Sequence, residues 1–368
     1  MKFTARVESL ANVLKQSGRI ASDKASDIAG NLLLSAQAGQ LDVTAHNGQQ
    51  HMTLHYLEVN VLAAGDICIS AKKFEQIVCS LPPDREVTVT VGEDKATVTC
   101  GRSRFSIATL PASNFPQALL PEDQTQRALT IDAQALRDGI RRIAFCVARR
   151  DVRTYLNGML FDVGEGKLTL VGTDGHRMGT AEIKVPTENT LKFTLPVACL
   201  EDVATFASQG EIEIQHSGNL VAFIGPHGVL TSRLIDGKFP NYADLITRAE
   251  QGTPIKMSRD AITSAVARVS LLSDGKSQAV KLKFGQQSVE VLSVSNGVSE
   301  VEEAEDLLPC DFSSDPFEVG LNSKYAQETF RAVETNELQF FYSGNASGTL
   351  VMAKDCPHQK FILMPVRL

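Results

Sequence analysis

The chain has 368 residues, enough for two or three domains, and its apolar and charged fractions are those of an ordinary globular protein. A formal charge of −7 gives no general attraction to nucleic acid or anionic lipid, so any such binding must come from local patches. No apolar run approaches the roughly 18 residues of a membrane span, the start Met1-Lys2-Phe3-Thr4-Ala5-Arg6 has no secretory core, and the seven cysteines form no C-x-x-C pair. A cytoplasmic protein with scattered reduced thiols, no bound metal and no cofactor is expected.

In chain order, the first element is a short alternating strand from Phe3 that runs into a helix carrying Leu10 and Leu14 on one face. The same strand-to-helix pattern opens at Leu129, with Leu136 and Ile140, and at Ile255, with Ile262 and Val266. Both steps are 126 residues (129 − 3 and 255 − 129). Asp132 and Ser258 stand where N-caps would for the second and third of these helices.

Each copy continues through alternating runs to an apolar strand and a second helix. The strands are Ile67-Cys68-Ile69, Phe193-Thr194-Leu195 and Phe317-Glu318-Val319, and the helices are entered near Ala71, Val197 and Asn322. Turn pairs Asn47-Gly48, Asp174-Gly175 and Asn296-Gly297 recur between them, and an Asp-Gly or Asn-Gly pair flanked by alternating runs reads as a hairpin. Phe115-Pro116 and Phe239-Pro240 close the first two copies, and loops near 111–121 and 248–254 mark the joints. Three homologous domains are therefore expected at 1–126, 127–252 and 253–368, each an α+β layer with helices on one face of antiparallel sheet.

Charge is segregated along this repeat. Arg137, Arg141, Arg142, Arg149, Arg150 and Arg153 crowd one segment, most of it a predicted helix over 132–150 whose core stripe is Leu136, Ile140, Ile143 and Val147. The first copy carries Lys72, Lys73, Arg102 and Arg104 beside Phe105 and Ile107. The third carries Glu300, Glu302, Glu303, Glu305 and Asp306 beside Leu271 and Leu272. A basic, apolar edge at one end and an acidic, apolar edge at the other suit head-to-tail closure between copies of the chain.

The three equal units, Gly101-Arg102-Ser103-Arg104-Phe105-Ser106, Asp151-Val152-Arg153-Thr154-Tyr155-Leu156-Asn157-Gly158, Thr173-Asp174-Gly175-His176-Arg177, Asp236-Gly237-Lys238-Phe239-Pro240-Asn241-Tyr242 and the terminal Met364-Pro365-Val366-Arg367-Leu368 together resemble the bacterial DNA polymerase III beta subunit, the replicative sliding clamp. The resemblance covers the whole chain. It implies a head-to-tail dimeric ring of three-domain protomers, helices lining the hole and antiparallel sheets outside, that encircles duplex DNA without sequence preference and has no catalytic role.

The same resemblance implies partners: the polymerase III catalytic subunit, a clamp loader and other proteins carrying a clamp-binding peptide. Their groove would be formed by Leu156, Thr173, Gly175, His176, Arg177, Met178, Pro240, Leu245, Ile362, Met364, Pro365, Val366 and Arg367. DNA contacts would fall to Lys24, Lys72, Arg137, Arg141, Arg149 and Arg150. The dimer seam would use Lys73, Arg102, Arg104, Phe105, Ile107, Leu271, Leu272, Glu300, Glu302 and Glu303. The chain departs from the family at Asp23, Val197, Ala198 and Asp244, where basic residues are common in relatives, which marks it as a divergent member.

Two other functions compete. One is a clamp-like homologue that binds partners without encircling DNA. The other is a metallohydrolase using His51, His55 and His176, since His51 and His55 have the i, i+4 spacing of helical metal ligands. Alternation of Gln49, His51, Thr53 and His55 with Gln50, Met52, Leu54 and Tyr56 reads instead as a strand. No G-x-x-x-x-G-K-[ST] loop is present, so nucleotide hydrolysis is not implied.

Overall fold

A computed structural model describes residues 1–21, 28–117, 126–272, 279–296, 301–344 and 348–366. Of the residues singled out above, Asp23, Lys24, Gly297, Glu300, Arg367, Leu368 and the side chains of Asn296 and Glu302 lie outside this description.

The described residues contain the helices α1 (Val7–Ile20), α2 (Ala71–Cys79), α3 (Ala133–Ile143), α4 (Val197–Phe206), α5 (Tyr242–Glu250), α6 (Arg259–Val269) and α7 (Ser323–Ala332). The predicted repeat explains six of them. α1, α3 and α6 follow the strands that open each copy, and α2, α4 and α7 are the second helices. Two caps are as the sequence suggests, Asp132 Oδ1 accepting from the amide of Ala135 at 2.9 Å and Ser258 Oγ from that of Ala261 at 3.3 Å, and Asn322 Oδ1 caps α7 in the same way by accepting from the amide of Tyr325 at 3.0 Å.

Two expectations are corrected. The helix predicted over 132–150 ends at Ile143 and tightens into a 3-10 turn at Ala144–Cys146. The chain then leaves the helix because the amide of Ala148 turns to the carbonyl of Thr173, 3.3 Å away. Leu136, Ile140, Ile143 and Val147 are nonetheless buried as one stripe. The joint predicted at 248–254 begins as the last turn of α5, a helix not expected there, which Asn241 caps by accepting from the amide of Asp244.

The chain packs as two compact units. The first comprises Met1–Asp138, Val185–Asn189 and Ala198–Leu234; the second comprises Gly139–Lys184, Thr190–Val197 and Ile235–Leu368. They do not follow the sequence repeats because strands pair across the repeat boundaries. In the first unit, Gly228–Arg233 pairs antiparallel with Gln50–Tyr56 inside a 13-stranded sheet. In the second, Arg177–Lys184 pairs with Cys356–Leu363 inside an eight-stranded sheet, and a separate four-stranded sheet holds Ala279–Gly285, Ser288–Asn296, Val301–Pro309 and Phe317–Asn322. Helices α1 and α2 pack together in the first unit, and α6 and α7 in the second. Their buried faces, such as Leu10, Leu14 and Phe74, or Ile262, Val266 and Phe330, close the cores against the sheets.

Candidate functional site

The strands Lys167–Thr173 and Arg177–Lys184 form a hairpin in which Thr173 pairs with Met178 and the amide of Asp174 donates to the carbonyl of Arg177 at 3.3 Å. Gly175 and His176 are therefore the central residues, one position later than the Asp174-Gly175 pair suggested. Gly175 has φ +86°, a backbone conformation that favours glycine, and it lies against the Arg153 guanidinium. Asp174 Oδ1 accepts from the amides of His176 and Arg177, each at 2.9 Å. The sister turn repeats this design: Asn47 Oδ1 accepts from the amides of Gln49 and Gln50, and Gly48 has φ +87°.

What the sister turn lacks is Arg177, whose side chain is 9% exposed. Its Nε donates to Asp174 Oδ2 at 3.1 Å, its Nη1 to Glu328 on α7, and its guanidinium carbon lies 5.1 Å from the Phe145 ring centroid and 4.4 Å from that of Tyr325. The resemblance assigned this residue to the partner groove alone. Its buried charge and internal partners instead make it a strut between the hairpin and α7. His176 is exposed and stacks on Tyr325, with ring centroids 6.2 Å apart.

Beside the hairpin lies a cavity of about 230 Å³ walled by Leu156, Thr173, Gly175, Arg177, Met178, Pro240, Leu245, Ile362 and Met364, nine of the residues named from the sequence. Its floor is a packed apolar cluster that includes Leu160, Val171, Leu350 and Met352. Sequence reasoning missed Arg153, Tyr155, Phe239, Asn241 and Tyr242, which complete the wall. The aromatic run flanking Pro240, just ahead of an Asn cap, was the available signal. His176, Pro365 and Val366 do not line the cavity. The terminal segment is tied beside it, the amide of Met364 donating to His176 carbonyl at 2.8 Å and that of Val366 to Gly320 carbonyl at 2.9 Å.

One side of the cavity is held by a stapled loop. Asp151 accepts from the amide, Nε and Nη2 of Arg153 at 2.8 to 3.0 Å, and these bonds hold its carboxyl down at about 2. Tyr242 donates to Asp162 Oδ2 at 2.7 Å; burial, reinforced by that carboxylate, pushes its phenol up. An apolar cleft with a few fixed polar groups suits a short peptide whose side chains fill pockets.

The predicted DNA-contacting residues fare unevenly. Lys72, Arg141, Arg149 and Arg150 are exposed, the last with φ +64° in the loop after the 3-10 turn and not on a helix as predicted. Arg137 is half-buried and its Nη1 donates to the carbonyls of Ala207 and Ser208 past the end of α4, so its guanidinium is drawn to protein carbonyls. On the predicted seam, Lys73, Arg102, Arg104 and Glu303 are exposed and Phe105 half-buried. Leu271 is 82% and Leu272 38% exposed, whereas Ile107 is buried because strand alternation turns it inward.

His51 and His55 lie on the strand Gln50–Tyr56, where four residues span about 13 Å, too far for one ion. His55 Nδ1 is 2.7 Å from Asp42 Oδ1, and His51 packs edge-on to Phe115. This removes the geometric basis for the hydrolase reading.

A strand-helix-sheet unit that is repeated and joined edge to edge, with a peptide-sized groove braced by Arg177, fits the class of DNA clamps. Three family signatures match in order: DNA polymerase III beta subunit, N-terminal domain, over residues 1–120; central domain, over 130–241; and C-terminal domain, over 247–367. The beta sliding clamp of Vibrio cholerae is 32% identical over 374 residues and that of Escherichia coli K12 29% over 376, each alignment covering both chains completely. A crystal structure of a sliding clamp from Pseudomonas aeruginosa, bound to griselimycin, superposes with a TM-score of 0.93 at 28% identity over the whole of both chains. The chain belongs to the DNA polymerase III beta subunit family, the beta sliding clamps. Its function is that of a non-catalytic processivity factor in DNA replication.

Proposed function

We propose that this chain closes head to tail with a second copy into a cytoplasmic ring around duplex DNA, and that the groove beside Arg177 takes the peptide segments of polymerase and loader partners. The observation that carries the ring is the pattern of strand edges. Within each unit one repeat joins the next through equivalent strands, Gln50–Tyr56 with Gly228–Arg233 and Arg177–Lys184 with Cys356–Leu363. The remaining strands of the two kinds are Ser103–Pro111, which carries Arg104, and Val301–Pro309, which carries Glu303 and Glu305. Apart from the pairing of 109–111 with 67–69, no described strand pairs with their outer edges.

Such edges are templates for another chain, and the repeat supplies the geometry. Charge supports this pairing: Arg102 and Arg104 would face the acidic run. A shallow hollow of about 300 Å³ lined by Lys73, Gln76, Ile77, Ser80 and Ile107 would receive the exposed Leu271 and Leu272 of the other copy. Asp306 is already held by Arg268 at 2.5 Å and contributes less.

Arg149 and Arg150, with Lys72 and Arg141, would supply the weak phosphate contacts that a sliding ring needs, since phosphate contacts carry no sequence information. The divisions 1–126, 127–252 and 253–368 remain the natural repeat boundaries under this reading. Sedimentation of the intact chain tests it: a dimer supports closure, and a monomer at micromolar concentration contradicts it.

A further inference from the structure

Three side chains with no part in the groove meet at the edge of the last hairpin. Cys356 and His358 stand two apart at the start of the strand Cys356–Leu363, and residues two apart on a strand face the same side. Glu334, from the segment just after α7, reaches the same point. Cys356 Sγ lies 3.1 Å from Glu334 Oε2, 3.1 Å from His358 Nε2 and 3.6 Å from His358 Nδ1. One donor atom from each residue can be chosen so that all lie within 4.8 Å of one another. We propose that Glu334, Cys356 and His358 form a binding site for a divalent cation of the zinc class.

The donor chemistry carries this reading. Thiolate, imidazole and carboxylate are the groups zinc takes, at about 2.3, 2.0 and 2.0 Å, and tetrahedral angles then hold the donors about 3.3 to 3.6 Å apart. The two separations from the thiol, each 3.1 Å, need shifts of a few tenths of an ångström to meet that geometry. The carboxylate and imidazole, within 4.8 Å of each other, close on the ion by side-chain rotation. A thiolate favours zinc over magnesium or calcium, which prefer all-oxygen shells. Cys356 is buried whereas Glu334 and His358 are exposed, so an ion arrives from solvent, and three protein ligands leave a position for water.

The carboxylate is also oriented from behind: Arg142 Nη2 donates to Glu334 Oε1 at 2.6 Å, leaving Oε2 toward the thiol. Outer hydrogen bonds of this kind aim metal-binding carboxylates. Binding forms the metal–sulfur bond as the thiol proton leaves to solvent, so uptake releases a proton. It would also tie the segment after α7 to the hairpin that turns at Lys354 and Asp355. In sequence, the 22-residue gap between Glu334 and Cys356 hides the cluster.

The test titrates the full chain with Zn²⁺ against a chromogenic zinc chelator, and with Co²⁺ in an absorption spectrometer. One equivalent of zinc held per chain and a thiolate-to-cobalt charge-transfer band are expected. Both should vanish in Cys356→Ser and in His358→Ala, and both should persist in Cys79→Ser, which removes an exposed cysteine elsewhere. Should Cys356→Ser fail to fold, His358→Ala, altered at an exposed residue, gives the same reading. No uptake by the unmodified chain, or undiminished zinc and cobalt signals in the two site variants, overturns the proposal.

Discussion

The guanidinium carbon of Arg177 lies 4.4 Å above the ring of Tyr325, a residue far along the chain on α7, and its Nη1 donates to Glu328 on the same helix. This pairing makes one residue of the groove wall serve also as a joint between the hairpin and α7. Removing it leaves the half-buried carboxylate of Asp174 with its two turn amides alone, takes the partner from Glu328 and empties a slot between two rings. Arg177→Ala should cost about 3 kcal/mol of stability by urea unfolding, and Arg177→Lys should recover little, because an ammonium cannot serve both carboxylates and both rings. His176→Ala, at an exposed residue, should stay within about 0.5 kcal/mol of the unmodified protein. Equal stability of Arg177→Ala would remove the strut.

The groove should be separable from the fold at its half-buried residues. Leu245 and Met364 pack on the apolar floor but are not part of its fully buried cluster. Leu245→Ala and Met364→Ala should each weaken a polymerase-derived clamp-binding peptide by about tenfold, read by fluorescence anisotropy, with little change in melting temperature. Unaltered affinity in both would place the peptide elsewhere.

Acid should weaken the first unit through His51. Burial, with the neighbouring His46 adding to it, lowers this imidazole to about 4 from its usual 6.5. The unfolded chain therefore takes a proton as pH falls below about 6.5 that the folded chain refuses until about 4, so stability is complete above the first value and drains toward the second, by up to about 3 kcal/mol. The loss measured by urea unfolding between about pH 7.5 and about pH 4.5 should shrink by that amount in His51→Gln. An identical loss in the variant would assign the acid sensitivity to other groups.

The seam should yield to the loss of apolar area without harm to the protomer. Leu271 and Leu272 are exposed in the single chain, so Leu271→Ala with Leu272→Ala should leave its unfolding unchanged while weakening association by a few kcal/mol per site, on the order expected for burying such side chains. Sedimentation of the double variant as an intact dimer at low concentration would move the seam.

The threefold organisation is legible in the sequence because each copy must bury the same stripes, and equal spacing exposes it at Leu10, Leu136 and Ile262. The groove is legible through resemblance and in good part through the run from Thr173 to Arg177. The role of Arg177 is not, because its partner Glu328 stands 151 residues away and nothing local marks the pair. The turn is displaced by one residue for a related reason: Asp174 and Asn47 act through side-chain acceptance as first residues of their turns, which an Asp-Gly pair alone does not reveal. Helix α5, and with it Tyr242, lies beyond Phe239-Pro240, where the matched spacings of the first two copies end.

The most direct test of the clamp assignment is retention on DNA. Incubated with its loader and ATP, the chain should remain on a nicked circular duplex through gel filtration and run off once the circle is cut. Failure to be retained on the circle, or equal retention on circular and linear DNA, would contradict encirclement and leave a protein that binds partners or DNA without closing around the duplex.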